Sequence, residues 1–202
     1  MKRVCGMLLT LTTVAALGAG ELDQADRKVL LDHLNRSSSE FLESVNGLTK
    51  EQWNYKPAAD VWSVAECAGH IALSEDFLRD IIEKKILSAP ASTERVAERK
   101  ALDEKVVKMV TDRSFKAKAP EPLIPSGQFA TPDEIIAAFQ RSREKTIAFA
   151  KSRDDLREHA APHPVLKEMD AYQWLLFLSG HTMRHTAQIQ EVKANAGFPR
   201  GK

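Results

Sequence analysis

The segment HTMRH places His181 and His185 four residues apart. On a helix of 3.6 residues per turn those positions share one face, so both imidazoles point the same way. Neutral imidazole is a ligand for zinc, nickel, copper or iron, and a proton carrier near neutral pH. A third histidine, His70, lies in the run ECAGHIALSE. At 100° per residue, Trp174, Leu178, His185, Gln188 and Val192 fall within about 60° of His181, which predicts both imidazoles in a buried stripe. Around His70, residues Val64, Ala68, Ile71, Leu78 and Ile82 form one apolar row, and Cys67, His70, Ser74, Phe77 and Ile81 form the row beside it. An imidazole buried without a partner costs roughly 1–3 kcal/mol, so three aimed at one interior require something to satisfy them. Two solutions stand open. A divalent metal held by His70, His181 and His185 would leave a coordination position free, as in a catalytic zinc site. Alternatively, hydrogen bonds to backbone or carboxylate would hold them as packed core histidines. HTMRH lacks the glutamate of HExxH, so it has no general base of the zinc-protease type.

Other residues near this stripe carry weaker expectations. Phe77, Trp174 and Leu178 would wall a pocket or pack the core. Cys67, one turn before His70, would be an accessory ligand or a small buried apolar residue. His159 and His163 sit in a polar, proline-bearing link and read as solvated, while His33 reads as a boundary residue. Trp53 and Trp62 are expected to pin a connector, and Arg184, about 60° off the stripe, reads as a surface residue.

The elements that must position these groups are helical. Residues 22–45 repeat apolar side chains at three- and four-residue spacing, and Gly47 ends the run. A turn-rich connector follows, and Ser63 with Glu66 forms a capping box that starts a second helix reaching about residue 87. Residues 91–112 read as weakly amphipathic helix and residues 113–130 as a crossover loop. Thr131, Pro132 and Glu134 start a third long helix, ending near residue 151. Residues 152–168 form a polar link. Asp170 with Gln173 opens the last helix, which stops at Gly197. Four long helices without a strand pattern predict an all-α four-helix bundle, with a long crossover between the second and third main helices.

The chain has 202 residues, 43% hydrophobic and 28% charged, enough for one sizeable core. Its 29 Lys and Arg nearly balance 28 Asp and Glu, so no net field draws it to nucleic acid or an anionic membrane. Residues 1–20, MKRVCGMLLTLTTVAALGAG, place Lys2 and Arg3 before an apolar run and close on Gly18, Ala19 and Gly20. That is the plan of a secretory signal peptide, which makes residues 21–202 the mature, exported domain, periplasmic or extracellular, free of the membrane after cleavage. Only Cys67 would survive processing, so no intrachain disulfide is expected. Apolar bundle surfaces would accommodate a homodimer.

Two segments resemble the DinB/YfiT-like superfamily of metal-binding four-helix bundles. In KPAADVWSVAECAGHIALSE a proline precedes a Trp-Ser helix start, with His70 eight residues after the tryptophan. In HTMRHTAQIQEVKANAGFP the HxxxH pair is followed by Gln188 and closed by glycine and proline. The resemblance implies a divalent metal, zinc or nickel, on His70, His181 and His185, with Gln188 near the pocket. It also implies thiol-dependent transferases or isomerases, while an open metal site that makes bound water acidic is equally the equipment of a metal-dependent hydrolase of a small molecule. Export disfavours the transferase, because low-molecular-weight thiols are mainly cytosolic. The alternative is a non-catalytic module whose metal is structural or vestigial.

Overall fold

The computed structural model describes residues 22–92, 96–115, 118–163 and 165–200. The expected signal peptide lies outside them. Among the described residues no helix is long and apolar enough to cross a membrane.

Four long helices form an all-α bundle: α1 (Gln24–Val45), α3 (Val64–Ile81), α6 (Pro132–Ser152) and α7 (Ala171–Lys193). Helices α1 and α3 each pack against both α6 and α7. Each long helix starts on a side-chain cap. Asp23, Ser63, Thr131 and Asp170 accept from the backbone N–H three residues on, and at Ser63 and Asp170 the third residue returns the bond. Those caps satisfy donors that the helix itself cannot, which is why the boundaries agree with the sequence pattern. Gly47, at φ +68°, turns the chain out of α1.

The connections are more structured than the sequence pattern predicts. The first holds a short helix, α2 (Lys50–Asn54), started by a Thr49–Gln52 capping box. The long crossover begins as a π-helical turn (Ile82–Ile86), continues through α4 (Val96–Lys100) and α5 (Asp103–Thr111), and ends with a 3₁₀ turn (Glu121–Leu123). Instead of a strand-free link, a short antiparallel hairpin precedes α7. It joins β1 (Ala160–His163) to β2 (Lys167–Asp170), with Ala160 opposite Asp170 and His163 opposite Lys167. Four residues per strand are too few for an alternating pattern to register, and the pairing closes within one turn of chain.

Two apolar clusters fill the bundle. One contains Leu30, Leu34, Leu78, Ile82 and Leu175, the other Phe41, Ile71, Phe139 and Ile189. Between them lies a polar layer. Buried Arg143 of α6 pairs with buried Glu75 of α3. Its guanidinium also donates to the Leu34 carbonyl at 2.5 Å and Ser37 Oγ at 2.7 Å, both on α1, and to Thr182 Oγ1 at 2.9 Å on α7. One side chain thus ties all four helices.

Near the α7 N-terminus, buried Arg157 reaches Asp26 at 3.1 Å, Asp103 at 2.6 Å and Asp170 at 3.3 Å, and lies 3.6 Å over the Tyr172 ring. This anchors the start of α5. At the other end of α5, the Arg184 guanidinium donates to the carbonyls of Val110, Asp112 and Phe115. Arg184, read from the wheel as a surface residue, is therefore a clamp on a helix C-terminus, where carbonyls lack partners. Between these ends α5 lies close on α7, where a Cβ on Gly180 would come within 2.3 Å of Val110 Cγ1. Only glycine fits there, one residue before His181.

Removing one member of the central ion pair, as in R143M, strands a buried charge and is expected to cost about 3–5 kcal/mol in urea unfolding. The double variant R143M/E75M should recover most of that loss.

Candidate metal centre

His70 comes from the middle of α3, and His181 and His185 from the middle of α7. Their ligand atoms all lie within 4.8 Å of one another. The ring centroids are 4.4 to 5.0 Å apart. His70 is buried, whereas His181 and His185 are half-buried. This corrects the expectation from the wheel, since the buried stripe of α7 runs through Leu175, Ser179, Thr182, Thr186 and Ile189. The imidazoles occupy its edge, beside α3 and the crossover.

Two of the rings are oriented from behind. His70 Nδ1–H donates to the Leu123 carbonyl at 2.8 Å. His185 Nδ1–H donates to Gln188 Oε1 at 2.9 Å. With those nitrogens protonated, each Nε2 carries a lone pair, and this is the arrangement that outer partners impose on metal-binding histidines. His70 Nε2 and His181 Nε2 are 3.2 Å apart. Two nitrogens bound tetrahedrally at about 2.0–2.1 Å from a zinc ion sit about 3.3 Å from each other, so this pair has the spacing of two ligands on one cation, with the third imidazole close by. A cation held by three neutral nitrogens would retain a position for another ligand.

Electrostatics favours the deprotonated rings. Burial holds His181 well below the ordinary imidazole value, and protonation of His185 or His70 would lower it further. Burial takes His185 down to about 3, helped by His70, Arg184 and Arg113 and opposed by the bond to Gln188. His70 is also lowered by burial, against the pull of the Leu123 carbonyl. All three therefore present lone pairs at neutral pH, with no proton to displace on metal binding.

Aromatic groups surround the cluster. The Trp62 ring centroid is 5.0 Å from that of His70 and 6.1 Å from that of His185. Trp62 therefore lies against the candidate site in addition to packing the first connector. Phe177 stacks on His181 with centroids 6.3 Å apart, and Trp174 follows at 5.5 Å from Phe177. Phe77 and Leu178 belong to the apolar core cluster. Cys67 is fully buried in the other cluster, where burial pushes its thiol up to about 12, so it stays a protonated, apolar packing group. The close cluster contains no thiol.

Gln188 is the group behind His185, and it is itself held. Its Oε1 also accepts from Arg113 at 3.4 Å, and Arg113 pairs with Glu191 at 2.6 Å. Sequence reasoning missed Arg113, Leu123 and Phe177. Arg113 and Leu123 come from the aperiodic crossover, and the contribution of Leu123 is a carbonyl, which no residue type announces. Among the remaining histidines, His159 and His163 differ from the solvated reading. His159 Nδ1–H donates to the Ala89 carbonyl at 2.6 Å, and His163 Nδ1 accepts from the amides of Val165 and Leu166. His33 is half-buried, with no partner at Nδ1 among the described residues.

A family model, described as the DinB superfamily, matches residues 33–189. The uncharacterized protein YuaE of Bacillus subtilis strain 168 is 29% identical over 160 residues, which span 79% of this chain and 94% of YuaE. A solved structure, that of YfiT from Bacillus subtilis, is described as a probable metal-dependent hydrolase with an unusual four-helix bundle topology. It aligns over 91% of this chain and 95% of its own, with a TM-score of 0.55 and 14% identity. At that identity the likeness is one of fold.

Two outcomes are expected. Q188A should weaken zinc binding about 10- to 100-fold in competition titrations with a chromophoric chelator, because His185 loses its orienting acceptor. In the metal-free protein, the unfolded chain takes protons on these histidines below about 6.5 while the folded site resists them. Urea stability should therefore fall as the pH drops from 6.5 toward 3, and the H181A/H185A variant should show a shallower slope.

Proposed function

The chain belongs to the DinB superfamily, and from that premise we propose that it is a metal-dependent hydrolase of a small molecule, with zinc or nickel held by His70, His181 and His185. The observation that carries this reading is the convergence of three neutral imidazoles, two of them tied from behind to Leu123 and Gln188. A divalent ion on neutral ligands supplies Lewis acidity and makes a bound water acidic near neutral pH.

The protein's own contribution is orientation and exclusion. The Leu123 carbonyl fixes the tautomer and the angle of His70, and Gln188 does the same for His185. Trp62 and Phe177 cover the rings with apolar surface, lowering the local dielectric and strengthening every charge interaction there. Burial of the imidazoles keeps them from taking protons that the reaction releases. YfiT, which shares the fold, is itself described as a probable metal-dependent hydrolase.

Export is part of the proposal. The basic, apolar and small-residue order of residues 1–20 supports it, and a compartment poor in small thiols favours water as the cosubstrate. N-terminal sequencing of protein recovered from the periplasm or medium should begin near residue 21.

Protein purified without an affinity tag should carry about one divalent ion per chain by inductively coupled plasma mass spectrometry. H70A, H181A and H185A should lose it. Hydrolysis across a panel of small esters and amides should stop on chelation and return with metal. Thiols should not accelerate turnover. A wild-type protein without stoichiometric metal would refute the reading.

A further inference from the structure

Buried hydroxyls on the helices of this protein have partners within reach. Ser37 donates to the Leu34 carbonyl, Thr146 to that of Ser142 and Thr186 to that of Thr182. Ser179 donates across to the His33 carbonyl on α1. Ser74 differs. It is 2% exposed, and among the described residues its Oγ is the buried hydroxyl oxygen with no hydrogen-bond partner. A hydroxyl withdrawn from water without a partner costs on the order of 1–3 kcal/mol, so a vacant donor of this kind calls for an explanation.

Its location supplies one. Ser74 is one helical turn beyond His70 on the same face of α3. On one side, His70 Nε2 meets His181 Nε2 at 3.2 Å. On the other, Glu75 Oε1 accepts from Thr182 Oγ1 at 3.2 Å. Ser74 is thus bracketed along α3 by two contacts to consecutive residues of α7. The bond that would normally quench it, back to the His70 carbonyl, is not made. The adjoining carboxylate of Glu75 is already engaged by Arg143 and Thr182, so it does not compete for the hydroxyl. Further along the same face of α7, two turns before His181, Trp174 Nε1 is also buried without a partner among the described residues, and Phe177 lies between them.

We propose that the Ser74 hydroxyl donates a hydrogen bond to an acyl oxygen of the substrate held at the histidine cluster, making Ser74 a substrate-binding residue. The proposal rests on the metal-dependent hydrolase reading. It also narrows the substrate class. Ser74 offers a neutral donor and the neighbouring walls are aromatic, which suits an uncharged ester or amide with an apolar body.

The test uses cobalt(II)-loaded full-length protein with acetohydroxamate, a small acyl ligand that coordinates the ion through oxygen. Its dissociation constant is read from the visible cobalt spectrum for wild type, S74A and S74C. S74A should hold one cobalt per chain and keep or raise its melting temperature, because it deletes an unpartnered group. It should bind the hydroxamate about tenfold more weakly. S74C, similar in shape with a weak donor, should fall between, and it serves in place of S74A if that variant does not fold. Stoichiometric cobalt with unchanged hydroxamate affinity would overturn the role of Ser74 and leave the metal reading intact. So would a lowered melting temperature at unchanged affinity, which would mark a structural hydroxyl satisfied by a fixed water. Failure of the wild type to hold cobalt would overturn the metal reading and this proposal together.

Discussion

The ion pair between Arg143 and Glu75 sets the frame on which the rest of the structure depends. Both side chains are almost fully buried, and a charge taken out of water must be met in full or it unfolds the protein. Here the guanidinium is met by a carboxylate, a carbonyl and two hydroxyls drawn from the other three long helices. An apolar core alone tolerates small slides of one helix along another. A fork of directed hydrogen bonds does not. Because Glu75 and Thr182 are both ligands of Arg143, α3 and α7 are held at one register, and that register sets His70 against His181 and His185.

The crossover completes what the bundle begins. A bundle of four helices presents three imidazoles, but it does not by itself select their tautomers. Selection comes from outside. Arg157 holds the first residue of α5, Arg184 holds the carbonyls at its last turn, and Gly180 lets α5 lie close to α7. The chain leaving α5 then brings Arg113 to Gln188 and, at the last residue of the 3₁₀ turn, the Leu123 carbonyl to His70. The segment with the least regular sequence is therefore the one that prepares the site. Loops on a rigid scaffold carry function for this reason, since their backbone groups are free to point at ligands.

The candidate site works against stability in two respects. Three imidazoles kept neutral close together exclude protons that the unfolded chain would accept, and a serine hydroxyl and an indole N–H are left without partners among the described residues. Packing elsewhere offsets these costs. The two apolar clusters flank the polar layer, and the Arg157 network closes one end. Groups that resist protonation in the free protein are groups already prepared to bind a cation, so the same desolvation that costs folding energy favours binding.

Much of this was legible in the residues taken alone. Helix starts at Ser63, Thr131 and Asp170 are encoded by neighbours three residues apart, and those bonds join groups within one turn of chain. The HxxxH pair and the third histidine were visible because imidazole chemistry depends on residue type and helix period. The two segments resembling the superfamily joined them into one set. The buried arginines were not legible, because periodicity assigns charge to the surface and cannot see a carboxylate on another element, such as Glu75 for Arg143 or Asp26 for Arg157. Nor was the carbonyl of Leu123, since every residue carries one and only its place distinguishes it. The sequence by itself therefore determined which helices form and which imidazoles share a face, through short-range hydrogen bonds and the 3.6-residue repeat. The tertiary structure decided how far those imidazoles are buried, which nitrogen of His70 and His185 is free and which hydroxyl is left to bind, because each of these depends on groups brought together from distant parts of the chain.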